Sequence, residues 1–401
     1  MTKKSDAPAI RFKGFSDAWE QRKVGDLLIE RNQQAPMSDE YPLMAFIANE
    51  GVAPKGERYD RSALVTDTVN KLYKKTEKGD FIYSSNNLET GSIGLNKYGK
   101  ACISPVYSIF EPTGIADSDF LGRRLVRKDF INAMVKWRQG VIYGQWRIHE
   151  SDFLKIEIPV PSVEEQRKIG AYLDQLDNLI TLHQRKCIFF TGRAGRLIST
   201  VNKKRITSSW EQRKLGDMMN VTSVKRIHQS DWTDSGVRFL RARDIVAAAK
   251  NEEPDDYLYI SKEKYEEYSA LSGKVGVSDL LVTGVGTIGV PYLVRNLEPL
   301  YFKDGNIIWF QNSDKIDGKF LFYSFSAEQI QGFINESAGI GTVGTYTIES
   351  GKKTPISLPN QIEQAKVGEF FQQLDNLITL HQRELEKLQN IKKSMLEKMF
   401  V

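Results

Sequence analysis

Apolar residues recur at alternating steps of three and four along two stretches of the chain. The first run takes Ile169, Tyr172, Leu176, Leu179, His183, Cys187 and Phe190; the second takes Val367, Phe370, Leu374, Leu377, His381, Leu385, Leu388, Ile391, Met395 and Met399. Such spacing lays one apolar stripe along a helix, the heptad signature of a helix pair. Neither run contains proline, and each begins just after one, Pro161 or Pro359. The pattern predicts two long helices, from Ser162 to about Arg205 and from Asn360 to Val401. Gly192 and Gly195 predict that the first frays, kinks or stops there and becomes a linker. His183 and His381 hold equivalent seam positions, where a polar residue more often fixes register than does chemistry.

The remaining segments read differently. Short apolar runs at Asp80–Tyr83, Ala101–Phe110, Leu280–Thr283 and Asn306–Phe310 are punctuated by glycine and asparagine, which predicts strands and turns. Helical patches at Asp129–Arg138 and Phe320–Phe333 lie among them. The expectation is a mixed α/β (α+β) globule before each long helix.

The two halves are copies of one another. Leu-Asp-Asn-Leu-Ile-Thr-Leu-His-Gln-Arg occurs at Leu176–Arg185 and again at Leu374–Arg383, and Trp19-Glu-Gln-Arg-Lys returns at Trp210. Asp80-Phe81-Ile82 matches Asp279-Leu280-Leu281, and Gly91-Ser-Ile-Gly94 matches Gly286-Thr-Ile-Gly289. A unit of about 200 residues written twice predicts a pseudo-twofold molecule from tandem duplication. The domain boundaries expected are a polar lead over 1–18, a first globule over 19–160, a helix and linker over 161–208, a second globule over 209–358 and a last helix over 359–401. At 1.5 Å rise a helix of about 40 residues spans roughly 60 Å. Packed antiparallel, two such helices would carry a globule at each end and bring His183 near His381. The alternative is that each helix buries against its own globule.

Composition narrows the class. With 401 residues, 40% of them hydrophobic, the chain can bury more than one core. The charge of +5 permits an acidic partner without requiring one. Two cysteines, Cys102 and Cys187, have no metal-type spacing and suit a reducing cytoplasm. The polar start and the lack of long apolar windows predict neither signal peptide nor membrane span.

Catalytic signatures fail on context. Gly284–Gly289 and Gly339–Gly344 both fit G-x-G-x-x-G, but β-like residues follow where a dinucleotide site needs a helix. Such glycines fit tight turns where a backbone approaches something closely. Gly94–Ala101 falls short of a phosphate loop because Ala101 replaces the hydroxyl that would hold Mg²⁺. The four histidines are scattered, and no spaced metal ligands or base-activated nucleophile stand out. A binder without catalytic residues or metal is expected.

What it would bind follows from basic residues interleaved with amides and aromatics in both globules. In the first these are Arg58, Arg61, Lys74, Lys75, Ser84, Asn86, Asn87, Lys97, Lys100, Arg138, Tyr143, Gln145, Trp146 and Arg147. The second offers Lys225, Arg226, Arg238, Arg241, Arg243, Thr283, Thr287, Tyr292, Lys303, Asn306 and Tyr346. Cations neutralise phosphates, while Arg, Asn and Gln make paired hydrogen bonds to purine edges. Two unlike readers on one spacer suit double-stranded DNA with a bipartite site, half-sites lying about 34 Å apart per turn.

The ordered pattern resembles the specificity subunit of type I restriction-modification enzymes. It is carried over nearly the whole chain by the Trp-Glu-Gln-Arg-Lys openings, the Gly79-Asp80 and Ser278-Asp279 strands with their Gly-x-Ile-Gly turns, and the Pro161–Gln166 and Pro359–Gln364 lead-ins. The resemblance implies two target recognition domains separated by an antiparallel coiled coil that sets the spacer. It also implies two methylation subunits, which bind S-adenosylmethionine, and two restriction subunits driven by ATP with Mg²⁺. A coiled-coil scaffold that assembles partners without touching DNA is the alternative.

Overall fold

The computed structural model describes residues 7–54, 71–140, 146–203, 210–254, 256–338 and 344–401, with backbone alone over 191–203. The chain divides into two compact units, one of residues 1–182 and 384–401, the other of residues 183–383. Each long helix therefore contributes one half to each unit.

In the first unit, strand β1 (Glu20–Lys23) pairs antiparallel with β6 (Glu157–Val160), the segment that leads into the long helix. Between them lies a four-stranded antiparallel sheet. Its strands are β2 (Leu28–Glu30), β3 (Phe81–Tyr83), β4 (Ile93–Leu95) and β5 (Ser108–Pro112), in the order β2-β5-β3-β4. The run Ala101–Phe110, expected as one strand, is two, Ala101–Ile103 and β5, because the chain turns at Pro105. Helix α1 (Ser118–Arg124) follows, then the long α2 (Val163–Lys203). Phe81, Phe110, Phe120, Phe130 and Phe153 fill the core, joined by Ile169, Leu173 and Leu176 from α2.

The second unit repeats this plan. Strands β7 (Glu211–Lys214) and β12 (Pro355–Leu358) pair antiparallel. The sheet of β8 (Asn220–Thr222), β9 (Leu280–Thr283), β10 (Pro291–Leu293) and β11 (Ile307–Gln311) has the order β8-β11-β9-β10. Helix α3 (Gly318–Phe325) corresponds to α1, and α4 (Gln361–Lys398) to α2. The helical patch expected over Phe320–Phe333 is broken at Ser326 and Ala327 into α3 and a second helix, Glu328–Ser337.

Local chemistry repeats with the topology. Asp80 and Asp279 are buried at the same place before β3 and β9. Asp80 accepts from Glu77 N at 2.7 Å and pairs with Arg31 at 3.0 Å, whereas Asp279 accepts from Trp309 Nε1 and Asn312 N, each at 2.8 Å. Burial pushes both carboxyls above their ordinary range despite those partners. The residue before each takes a left-handed turn, Gly79 at φ 94 and Ser278 at φ 72. Only the glycine does so without a side-chain clash.

The seam is buried differently from the heptad expectation. Leu179, Phe370 and Leu377 are 43, 44 and 39% exposed, while Leu173 and Phe371, outside the predicted stripe, are buried. Each helix serves two neighbours, so the buried face follows the globule as well as the other helix. Ile169, Leu173 and Leu176 join the first core, partly buried Tyr172 packs against it, and Phe371 and Leu374 pack with Tyr323 of α3.

The helices also touch, in antiparallel sense within each unit. In the first, Asp177 pairs with Lys392 at 2.5 Å, and Leu388 packs against the core with Met395 and Leu396. In the second, His183 and His381 approach at 3.3 Å between Nδ1 atoms, and Phe190 stacks on His381 while joining the cluster of Phe371 and Leu374. Leu385 is half-buried. Helix α2 runs through Gly192 and Gly195 to Lys203 rather than stopping; a cost of about 1 kcal/mol per glycine does not end a helix this long.

Candidate nucleic-acid interface

In each unit the hairpin at one edge of the sheet, β3–β4 or β9–β10, ends in a loop that meets the segment leading back to the long helix. In the first unit this joins residues 84–92 to residues 136–140 and 146–148. Ser85 Oγ accepts from Ile148 N at 3.0 Å, Asn86 Oδ1 accepts from Trp146 N at 2.6 Å, and Arg138 Nη1 donates to Glu89 at 3.0 Å. Among the candidate readers on this edge, Asn86, Asn87, Trp146 and Arg147 are exposed. Arg138 lies mostly buried beside Glu89, with its Nε and Nη2 unpartnered.

Several first-unit candidates have internal duties instead. Ser84 is buried in the hairpin, and Lys74 is buried near Glu150. Burial works to raise the Glu150 carboxyl, but its own backbone N–H, the Ser108 hydroxyl, Arg147 and Lys74 outweigh it and hold it below the ordinary range. Lys75 lies 4.2 Å over the Tyr41 ring, and Lys100 pairs with Glu40. Lys97 reaches Asp174 on α2 at 2.9 Å, so it ties globule to helix. Arg58, Arg61, Tyr143 and Gln145 lie outside the described residues.

The second unit builds the same edge from other side chains. Thr283 is buried; its hydroxyl donates to Thr287 O at 2.6 Å and accepts from Val290 N at 2.9 Å, closing the β9–β10 turn. Gly289 leads into a strand, and Gly284 packs so closely that a Cβ there would sit 2.6 Å from Tyr346 O. That is the close backbone approach expected of the motif. Tyr346 is a buried post: its N–H donates to Gly284 O at 2.9 Å and its hydroxyl meets Thr354. Thr283 and Tyr346 are both buried, with their hydroxyls engaged inside the protein.

Beside this turn opens a cleft of about 450 Å³, lined by Ser223, Val285, Gly305, Ile307, Thr345 and Thr347 among others. Thr287 and Lys303 are exposed nearby in sequence, and Asn306 holds Gly284 N through its carbonyl. Lys225 lies 5.3 Å over Tyr268, and Arg226 pairs with Asp304 at 2.9 Å.

Arg238 belongs to a second four-stranded sheet, ordered Trp232–Thr233, Leu258–Ile260, Val237–Leu240, Leu300–Phe302, and Arg241 and Arg243 lie at the start of the helix Ala242–Ala249 that follows. Arg241 is clamped by Asp244 and Asp256, each at 2.9 Å, which makes it structural. Arg243 also pairs with Asp256, Arg238 lies 4.6 Å over Tyr257, and Tyr292 is half-buried against this core. Charge interleaved with aromatics marked these residues, but sequence alone does not show which cations already have carboxylate partners.

Two loop edges of one design, carrying different exposed side chains, define a tandem recognition protein. The family model for the type I restriction modification DNA specificity domain matches residues 16–188 and 207–390, and the chain belongs to that family. It is 25% identical to the type I restriction enzyme MjaVIII specificity subunit of Methanocaldococcus jannaschii, over 94% of this chain and 91% of that one. It is 24% identical to a putative type I specificity subunit of Haemophilus influenzae, S.HindORF215P, over 76% of this chain and 78% of that one. The fold is shared with a crystal structure of a type I restriction-modification S subunit from M. genitalium, with a TM-score of 0.54 and 15% identity over 98% of this chain and 99% of the other. Among the described residues, no helix is long and apolar enough to cross a membrane.

Proposed function

We propose that this chain is the DNA-specificity subunit of a type I restriction-modification enzyme, each globule reading one half of a bipartite site and the helix pair setting the spacer. The carrying observation is the doubled loop edge, alike in topology and unlike in side chains. Asn86, Asn87, Trp146, Arg147 and, once released from Glu89, Arg138 are the readers assigned to the first domain. Thr287, Lys303, Asn306, Lys225 and Arg226 are assigned to the second. Cations with one exposed edge exchange a carboxylate for a phosphate at small cost, while the amides read base edges.

The chain itself is assigned no catalytic residue, metal or cofactor. Two methylation subunits using S-adenosylmethionine and two restriction subunits using ATP and Mg²⁺ supply the chemistry, and the assembly acts on cytoplasmic DNA. Family membership favours this over the scaffold. Exchanging residues 19–158 for those of a relative, then mapping methylated adenines made by the assembled complex, tests it. One half-site should change and the other persist; a change in both, or in neither, defeats the modular reading.

A further inference from the structure

The Glu-Gln pair opening each long helix and the aspartate inside the repeated decapeptide take no part in the loop edges. Their geometry recurs in both units. Gln166 is buried, its Oε1 accepting from Asp117 N at 3.0 Å and its Nε2 donating to Pro161 O at 3.0 Å. Gln364 is buried likewise, accepting from Asp317 N at 3.0 Å and donating to Pro359 O at 2.8 Å. Each aspartate in turn caps the helix behind it, Asp117 accepting from Phe120 N at 2.9 Å and Asp317 from Phe320 N at 2.8 Å.

One turn further along the long helices stand Gly170 and Gly368. A Cβ on either would lie 2.6 or 2.7 Å from Oδ1 of the capping aspartate. The contact thus needs an amide that both donates and accepts, and a residue with no side chain beside it.

A second anchor lies eleven residues beyond the glutamine in both units, roughly 16 Å along the helix at 1.5 Å per residue. Arg123 of α1 donates to Asp177 at 2.9 Å and Asp174 at 2.6 Å. Tyr323 of α3, in the matching place, donates to Asp375 at 2.6 Å. Asp177 and Asp375 are the second letter of the repeated decapeptide. One contact alone would leave a pivot; two, separated along the axis, remove the rotation.

We propose that Gln166 with Gly170, and Gln364 with Gly368, are positioning residues that latch each recognition domain at one orientation on its own long helix, and so restrict the half-site spacings the enzyme accepts. This rests on the bipartite reading above. It assigns the latch no contact with DNA, so half-site sequence should be indifferent to it.

The test uses the complex assembled with its methylation subunits, on duplexes holding both half-sites of the wild-type target with spacers one base pair shorter, native and one longer. Gly368→Ala wedges the contact while favouring the helix, Gln364→Leu removes it, and Tyr323→Phe deletes one hydroxyl from the second anchor with little risk to folding. Relative methylation at the two wrong spacers should rise about tenfold for the first two, the scale of a lost buried hydrogen bond, and about threefold for Tyr323→Phe. The half-site sequence should stay unchanged. A uniform loss across all three spacers, or unchanged discrimination in variants whose melting matches wild type, would overturn the latch. If wild type itself shows no spacer preference, the bipartite reading fails instead.

Discussion

The two units dock onto their helices by the same first contact and by chemically different second ones. In the first unit the second anchor is ionic: Asp174 takes both Arg123 and Lys97, and Asp177 takes Arg123 and Lys392. Burial works to raise the Asp174 carboxyl, yet Arg123 and Lys97 hold it down at about 2. The second unit places Tyr323 on Asp375 and Arg295 on Gln372, so the corresponding links pair one neutral group with one charged group. Trp210 Nε1 donates to Glu363 at 3.1 Å, whereas Arg11 takes Glu165 bidentately at 2.7 and 2.9 Å and leaves buried Trp19 Nε1 without an acceptor. The first unit also receives Met399 and Phe400, with Phe400 packed on Trp19 and Phe120. The backbone plan tolerates these exchanges because geometry at the first contact is set by a buried amide, which has few substitutes, while a half-exposed carboxylate accepts many partners.

The difference can be broken most severely at Phe400. Phe400→Ala should cost the first unit about 3–5 kcal/mol, read as lost hydrogen-exchange protection in Phe81–Tyr83 and Ser118–Arg124, with Leu280–Thr283 spared. Next comes the second anchor. Arg123→Ala leaves Asp174 and Asp177 with only their lysines and should cost about 2–3 kcal/mol, against about 1 kcal/mol for Tyr323→Phe, each measured by exchange in its own unit. The mildest probe is salt. Raising NaCl from about 0.05 to about 0.5 M should weaken the ionic anchor by a few tenths of a kcal/mol, loosening Ser118–Arg124 more than Gly318–Phe325. Equal responses in both units would remove the distinction.

Period and repetition made the architecture legible. Alternating threes and fours located both long helices, and the doubled motifs at Trp19, Asp80 and Gly91 announced two units of one topology, because backbone hydrogen bonding and apolar spacing are local properties of a chain. The faces of those helices were less legible. Phe370 and Phe371 are adjacent and equally apolar, and Tyr323 packs on the second while the first is 44% exposed.

The same divide runs through the interface. Residue type and spacing were enough to mark Arg241, Lys97, Thr283 and Tyr346 as polar or basic groups near turns. Tertiary structure alone decided that Asp244 and Asp256 clamp the first, that Asp174 holds the second, and that the last two close a turn and prop a backbone. The amino-acid sequence by itself determined the tandem plan, the two long helices and the class of partner. Which cations keep a face toward that partner depended on carboxylates 3 to 78 residues away, since an ion pair is made by proximity in space and leaves no period in the chain.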